Sequence, residues 1–219
     1  MNNLSYLTKI PLIWVLLSVT LLSACSITPP ENLLSVEVDD VSEAKAWEMQ
    51  GKLAVRTDKD KFSTNLYWLH TDDKNELRLT TMLGTTVLSL TTVEGKARLE
   101  VDGKVYQDRD AQRLLTKVTG WAIPVDALPL WITGQLSDDD ELLMQDERQR
   151  PKKLTTIKDP RPWEVEFISW QQQSGAELPR LLELKREELR LKLQISHWQA
   201  LSATPILPSN QPKERLNEQ

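Results

Sequence analysis

Apolar and polar residues alternate along most of the chain, which is the pattern of β-strands with one buried face. Two early segments are clear, and their residues of one parity are Trp47, Met49, Leu53 and Val55 in the first and Phe62, Thr64, Leu66 and Trp68 in the second. Similar segments are predicted at 76–83, 85–92, 96–101, 104–107, 141–145, 152–158, 163–171, 180–187 and 189–198. Because the connections are short, the pattern predicts an antiparallel meander.

The pattern changes to helical spacing in the middle of the chain. Asp108 or Asp110 can cap a helix whose apolar residues are Leu114, Leu115 and Val118, with Gly120 at its exit. A second helical segment is predicted at 123–134, with Pro124 near its start, Gly134 after it and Pro129 as a possible break. Two short helices inserted into a long antiparallel sheet favour a curved sheet or open barrel with helices over its mouth, and such an interior can hold lipids.

The N-terminus has the order of a secretory signal peptide. Lys9 precedes an apolar run at 10–22, and small residues follow it. The run is shorter than the roughly 20 apolar residues that span a bilayer. The next residues, Leu22-Ser23-Ala24-Cys25, resemble the bacterial lipobox, in which the cysteine becomes lipidated; Ser26, in place of Asp, implies export to the outer membrane. The alternatives are a buried cysteine behind a simple signal peptide, or an N-terminal anchor that stays attached.

Length and composition indicate one folded domain with flanking segments. We expect a signal peptide at 1–24, a lipidated N-terminus and flexible tether at 25–40, the domain at 41–201 and a disordered tail at 202–219. Twenty-seven basic and 32 acidic residues give a net charge of −5, which argues against a nucleic-acid partner. Because Cys25 is the only cysteine, no intramolecular disulfide is possible.

The sequence carries no recognisable catalytic, cofactor or metal motif, so we expect a protein that is not an enzyme. His70 and His197 lie near predicted strand ends, far apart in the sequence, and are interpreted as ordinary surface or sheet-edge residues. The acidic run at 138–141 lacks the spaced ligands and the turn glycine of a calcium loop, and it is interpreted as a solvated loop.

Tryptophan is the abundant aromatic residue, with eight copies against three of tyrosine and two of phenylalanine. Trp14 belongs to the predicted signal peptide. The other seven either form the core or, in part, line a lipid cavity or a membrane-facing surface, where an amphipathic ring is favoured. The pattern leaves both interpretations open.

A predicted hairpin tip carries apolar residues. Met82 and Leu83 end one strand-like run, and Gly84 precedes the next run, which starts near Thr85. Glycine suits a turn, but a leucine at a tip exposed to water is unexpected. Leu83 either folds back onto the sheet or contacts a surface outside the domain.

These segments together resemble the LolB family of outer-membrane lipoproteins. The resemblance rests on the lipobox, the segment 47–57 with Gly51, the hairpin 77–90 and the segment 114–134, and it covers roughly Trp47 to Trp198. The most specific part is 120–131, in which Gly-x-x-Ile-Pro precedes apolar residues. The family often has proline just before the loop leucine, where this chain has Met82.

The resemblance implies a mainly β fold with inserted helices: an unclosed antiparallel β-barrel with a short helical lid over an apolar cavity. It also implies an outer-membrane anchor in the inner leaflet, no cofactor, and three partners: the periplasmic carrier LolA, the acyl chains of client lipoproteins, and membrane lipid. Leu83, with Met82 and Gly84, matches the family's protruding loop. We expect a monomer, with the cavity or lid formed by Trp68, Leu114, Leu115, Val118, Trp121, Ile123, Leu128 and Trp131. A non-catalytic accessory lipoprotein of outer-membrane or peptidoglycan assembly is the alternative.

Overall fold

The computed structural model describes residues 33–158 and 160–203. Twelve strands, one 3-10 helix and two α-helices follow one another in this part of the chain. The strands are β1 (Leu33–Val36), β2 (Ala46–Arg56), β3 (Lys61–His70), β4 (Lys74–Thr80), β5 (Thr86–Val93), β6 (Lys96–Val101), β7 (Lys104–Asp108), β8 (Asp140–Gln145), β9 (Pro151–Thr156), β10 (Glu164–Gln173), β11 (Ala176–Arg186) and β12 (Leu189–Ala203). The 3-10 helix is Val41–Glu43, and the α-helices are α1 (Ala111–Thr119) and α2 (Leu128–Ile132).

All strand pairs are antiparallel and belong to one sheet. The order is β7-β6-β5-β4-β3-β2-β12-β11-β10-β9-β8, with β1 added to β12. The ends of this order, β7 and β8, do not pair with each other within the described residues, so the sheet stays open. The predicted fold class, an unclosed antiparallel barrel with inserted helices, is confirmed.

The folded unit begins earlier than the sequence pattern indicated. Residues 33–36, which we had assigned to a tether, pair with β12 from Leu33 opposite Ala203 to Val36 opposite Ala200. The amide of Val38 also donates to the carbonyl of Ser174 at 2.8 Å. In the sequence, prolines and acidic residues flank this short strand, so its few apolar residues do not form a recognisable alternating pattern. Residues 25–32 and 204–219, with Cys25 among them, lie outside the described residues.

The predicted inward parity of the first two long strands is confirmed. Trp47, Met49 and Val55 are almost fully buried on β2, and Leu66 and Trp68 are buried on β3. Gly51 shares the inward parity of β2, and a side chain there would collide with the carbonyl oxygen of Gln194 on β12. The glycine therefore permits close packing of β2 against β12, next to the bulge between Ile195 and His197.

Candidate functional site

Helix α1 begins and ends where its sequence signals predict. The side chain of Asp110 accepts a hydrogen bond from the amide of Arg113 at 2.8 Å, which makes Asp110 the N-cap. Gly120 ends the helix in the left-handed conformation, with φ of 79°. The carboxylate of Asp108 pairs with the guanidinium of Arg113 and also accepts from the amide of Arg109 at 2.7 Å. Asp108 therefore holds the first turn of α1 against the end of β7.

Helix α2 is shorter than predicted. The segment 123–134 forms a turn at its start, and the helix covers only Leu128–Ile132. Pro124 lies in that turn, where its carbonyl accepts from the amides of Ala127 and Leu128 at 3.1 Å. Pro129 does not break a helix; it lies in the first turn of α2, where its missing N–H leaves no hydrogen bond unmade.

An apolar cavity of about 60 Å³ lies between the two helices and the concave face of the sheet. Its walls come from β2 to β5, β11, β12, both helices and the loop between them. Every lining residue is apolar: Leu53, Leu66, Trp68, Leu77, Leu79, Leu88, Leu90, Leu115, Trp121, Ile123, Val125, Leu128, Leu184, Leu191 and Leu193. A cavity without polar partners is a poor site for water and a good one for hydrocarbon.

Five of the eight residues predicted for the cavity or lid line it: Trp68, Leu115, Trp121, Ile123 and Leu128. Leu114 is instead buried in the core, and Val118 packs against the core from α1. Trp131 is fully buried, and its Nε1 donates to the carboxylate of Asp140 at 2.9 Å, away from the cavity wall. The indole N–H requires an acceptor when it is buried, and Asp140 supplies one.

Ten lining residues were missed by the sequence interpretation, and nine of them are strand leucines: Leu53, Leu66, Leu77, Leu79, Leu88, Leu90, Leu184, Leu191 and Leu193. The tenth is Val125. The alternation on β2 and β3 predicted only that Leu53 and Leu66 face inward. The curvature that leaves a gap above them has no signal in a single sequence.

The cavity is closed in this structure. Pockets that hold a small ligand have volumes of about 300–1,000 Å³. The observed volume is only about 60 Å³. The structure thus places an apolar cavity under the helices, with a volume well below that range. A ligand of that size would fit only after outward movement of the helices or of the loop between them.

Three side-chain contacts hold the two helices and the loop between them on the sheet. The guanidinium of Arg186, on β11, donates to the carbonyl of Ala122 at 3.0 Å. Phe62 of β3 stacks on Trp121 with ring centroids 5.3 Å apart. Asp140, at the start of β8, fixes α2 through Trp131. Asp140 is thus a structural residue rather than part of a solvated loop, whereas the neighbouring Asp139 forms a surface ion pair with Lys158.

The second apolar feature is the hairpin between β4 and β5. Its turn is closed by the amide of Thr81, which donates to the carbonyl of Thr85 at 2.8 Å. Met82 is 70% exposed and Leu83 is 95% exposed, so Leu83 does not fold back onto the sheet. Gly84 adopts a φ of 86°, a value that favours glycine. The turn therefore directs two apolar side chains into solvent.

The remaining candidate residues are the two histidines, and neither lies in the cavity wall. His70 stacks on Trp47 at 4.9 Å, and its Nδ1 lies 2.6 Å from Oδ1 of Asn75, while His197 is exposed on β12. Within residues 33–158 and 160–203, no group of three or more histidine, cysteine or carboxylate side chains could hold a metal ion. In the same residues, no helix is long and apolar enough to cross a membrane.

Comparison with known proteins then identifies the family. The model of the outer membrane lipoprotein LolB family matches residues 45–198. The chain belongs to the LolB family. The outer-membrane lipoprotein LolB of Shewanella sediminis is 85% identical over the full length of both chains. The LolB of Shewanella woodyi is 69% identical over 97% of this chain and all of the relative, and that of Shewanella loihica is 54% identical over 92% and 94%.

Membership of the LolB family confirms the resemblance found in the sequence and the predicted location at the outer membrane. It gives the chain a broad role in lipoprotein localisation. Among solved structures, a LolA superfamily protein from Nitrosomonas europaea aligns with a TM-score of 0.46 and 11% identity over 75% of this chain and 88% of that one. The fold assignment rests on the observed strand pairing, not on this distant likeness.

Proposed function

We propose that this protein is a receptor anchored in the inner leaflet of the outer membrane. It accepts lipoproteins from the periplasmic carrier LolA by binding their acyl chains and inserts them into that leaflet. The anchor is a lipidated Cys25, which lies outside the described residues. The observation that carries the proposal is the wholly apolar cavity between the sheet and the helices.

The energetics of this transfer need no catalytic residue. A client moves from carrier to receptor to bilayer only if its free energy falls at each step. Burial of hydrocarbon at about 25 cal/mol per Å² makes an expanded cavity attractive to acyl chains. The closed state of the cavity works against occupancy, because moving the helices costs contacts such as the Phe62–Trp121 stack. That cost keeps binding in the receptor weaker than insertion into the membrane.

Quenching by a brominated fatty acid tests the cavity. Trp68 and Trp121 line it, so added brominated palmitate should reduce the tryptophan fluorescence of the protein. Trp121→Phe should lower the quenched fraction. The matched control is Trp163→Phe, because Trp163 is fully buried and is not part of the cavity wall. Equal quenching in all three proteins would place the fatty acid outside the cavity and contradict the proposal.

A two-step transfer assay tests the function itself. LolA loaded with a client lipoprotein is mixed with the receptor, and the client is then followed from receptor to liposomes. We expect both steps to proceed without ATP. Failure of the receptor to take any client from LolA would contradict the receptor role.

A further inference from the structure

Five exposed cations lie together on the outer face of the sheet, away from the cavity. We call this the basic face; its members are Lys52 and Arg56 of β2, Lys61 of β3, and Arg190 and Lys192 of β12. They have the opposite parity to the inward-facing Leu53 and Leu191 on the same strands. A cluster of this kind is unexpected in a chain whose net charge is −5.

Three of the cations form a row directly across three strands. Arg56 pairs in register with Lys61 on one side and with Arg190 on the other. Like charges placed directly opposite each other in an antiparallel sheet are destabilising. The pairwise charge interactions within this row therefore oppose folding, and an anion lying over the row would offset them.

The described carboxylates around the basic face do not form ion pairs with it, although Glu183 of β11 lies opposite Lys192 in register. Within the described residues, none of its five members forms an ion pair, whereas cations beside it do. On β11, next to Arg190, Lys185 pairs with Glu183 at 3.5 Å. On β4, Arg78 and Lys74 both pair with Glu76. Acidic residues of the adjoining turns, Asp58, Asp60, Glu187 and Glu188, surround the row without pairing with it, and Glu187 pairs with Arg161.

The basic face lies at the same end of the strands as the exposed hairpin. Lys61 is the first residue of β3, and Arg56 is the last of β2. Thr80 of β4 pairs with Asn65, so three more residues bring Leu83 level with the first residues of β3. An apolar tip and a row of cations thus share one end of the sheet, and this combination suits a phospholipid surface better than a protein surface. The tip can enter hydrocarbon while the cations meet phosphate groups.

We propose that the basic face is a second membrane-contact site, which binds the anionic headgroups of the bilayer that receives the client. This inference takes the membrane as partner from the proposed function and adds the surface and the lipid chemistry that it selects. The row orients the domain so that the Leu83 tip points into the leaflet. A basic residue near an anionic surface contributes about 1 kcal/mol, or roughly fivefold in affinity.

Vesicle binding tests the proposal with the full mature chain. Cys25→Ala, exported with a cleavable signal, removes the acyl chains that would otherwise hold every variant on the vesicles. The probes are vesicles of phosphatidylcholine alone and of phosphatidylcholine with one third phosphatidylglycerol. We expect tighter binding to the second kind, and loss of that preference in high salt.

The triple variant Arg56→Gln, Lys61→Gln, Arg190→Gln should bind the anionic vesicles on the order of 100-fold more weakly, from three contacts of about fivefold each. The control is Lys96→Gln, Lys117→Gln, Lys152→Gln, which removes the same charge from exposed lysines elsewhere. Thermal unfolding should show the first variant to be at least as stable as the parent, because it removes like charges that face each other. Equal weakening in both triple variants would reduce the effect to net charge and overturn the proposal.

The same variants separate this inference from its rivals. If the first triple variant lost binding to LolA but kept its preference for anionic vesicles, the basic face would be a protein-docking surface and the proposal would be wrong. Leu83→Glu should weaken binding to both kinds of vesicle, because insertion of the tip does not depend on headgroup charge. A normal Leu83→Glu protein beside a defective triple variant would contradict the role of the loop and leave the basic face supported.

Discussion

At the scale of single residues, Leu83 is the large apolar side chain with the greatest exposure to solvent in the described residues. It is 95% exposed at the tip of a turn, so it gives up about 1.5–3 kcal/mol of burial that a leucine gains inside a core. Its neighbour Met82 is also exposed, at 70%. An apolar pair held in water by a glycine turn is stabilised only when something outside the domain covers it.

Leu83→Glu should therefore slow delivery to the bilayer by at least tenfold, since a charged tip cannot enter hydrocarbon. Uptake from LolA should stay close to the parental rate, because Leu83 is not part of the cavity wall. The two-step transfer assay measures both rates. The matched control is Leu143→Glu, which places the same charge on another exposed leucine, on β8. If uptake fell as much as delivery did, Leu83 would belong to the acceptance site and its role as a membrane contact would be wrong.

At the scale of elements, the attachment of α1 depends on a carboxylate whose charge can be removed with acid. The hydrogen bond from Arg113 is the main cause that lowers the pKa of Asp108 from 3.8 to about 2, and hydrogen bonds from the amides of Arg109 and Asp110 contribute to the same shift. A carboxylate with a lower pKa in the folded state stabilises that state above its unfolded pKa, and the contribution disappears as pH falls towards the folded value. Asp108 therefore stabilises α1 above about pH 4 and loses this effect towards pH 2.

Asp108→Asn should lower the free energy of unfolding at neutral pH, and the difference from the parent should shrink between about pH 4 and pH 2. Because solvent still reaches the side chain of Asp108, it screens the interaction, and the loss should be modest. Urea unfolding, followed by circular dichroism over this pH range, measures the difference. A difference that stayed constant with pH would mean that Asp108 acts through its shape or its amide contacts and not through its charge.

The strands and helices also show which features of the fold a single sequence predicts and which it does not. Alternation predicted the long strands and their buried faces, and the signals at Asp110 and Gly120 predicted both ends of α1. Strand β1 was missed because four residues are too few for a pattern and its stability comes from pairing with β12, more than 160 positions away. Helix α2 was predicted too long because its apolar residues continue into a turn that Pro124 stabilises.

The candidate site was also predictable only in part. The exposed hairpin was predictable because Gly84 and its apolar neighbours are consecutive in the sequence. Only a third of the residues in the cavity wall were predicted, since the wall depends on curvature that brings β2–β5 and β11–β12 under the same two helices. The basic face was not predictable: Arg56, Lys61 and Arg190 meet only through strand register.

At the scale of the whole molecule, the open sheet places the cavity and the proposed membrane-contact surface on different sides. The cavity lies on the concave face, under the helices, whereas the basic face lies on the other side of the same strands. The exposed hairpin extends from β4 and β5, whose Leu79 and Leu88 also line the cavity. A single pair of strands thus connects the cavity to the proposed membrane contact, so the proposed delivery needs no large change in the sheet itself.

The position of β1 limits how far the domain can extend from its proposed anchor at Cys25. Leu33 pairs with Ala203 at one end of β12, while Thr80, which leads into the hairpin, is level with Gln194 through β3 and β2. The nine residues between these levels correspond to about 30 Å along the strands. The eight-residue step from Cys25 to Leu33 can span at most about 29 Å. Leu83 lies three residues beyond Thr80, which brings the separation from Leu33 to about 40 Å. The proposed anchor and the Leu83 tip thus leave the sheet at opposite ends, and both reach one membrane only when the tether is extended and the strands tilt away from the membrane normal.

Deleting residues 27–30 halves this reach to about 14 Å, so the shortened protein should deliver clients to its own membrane at least several-fold more slowly. Uptake from LolA should not change, because the deleted residues lie outside the described domain and its cavity. The assay uses the lipidated protein in proteoliposomes and follows the client into the same vesicles. Replacing residues 27–30 by Gly-Ser-Gly-Ser keeps the length and should preserve delivery, which separates reach from sequence. Parental delivery by the shortened protein would mean that the domain lies with its strands along the membrane, where the anchor and the hairpin reach the surface without an extended tether.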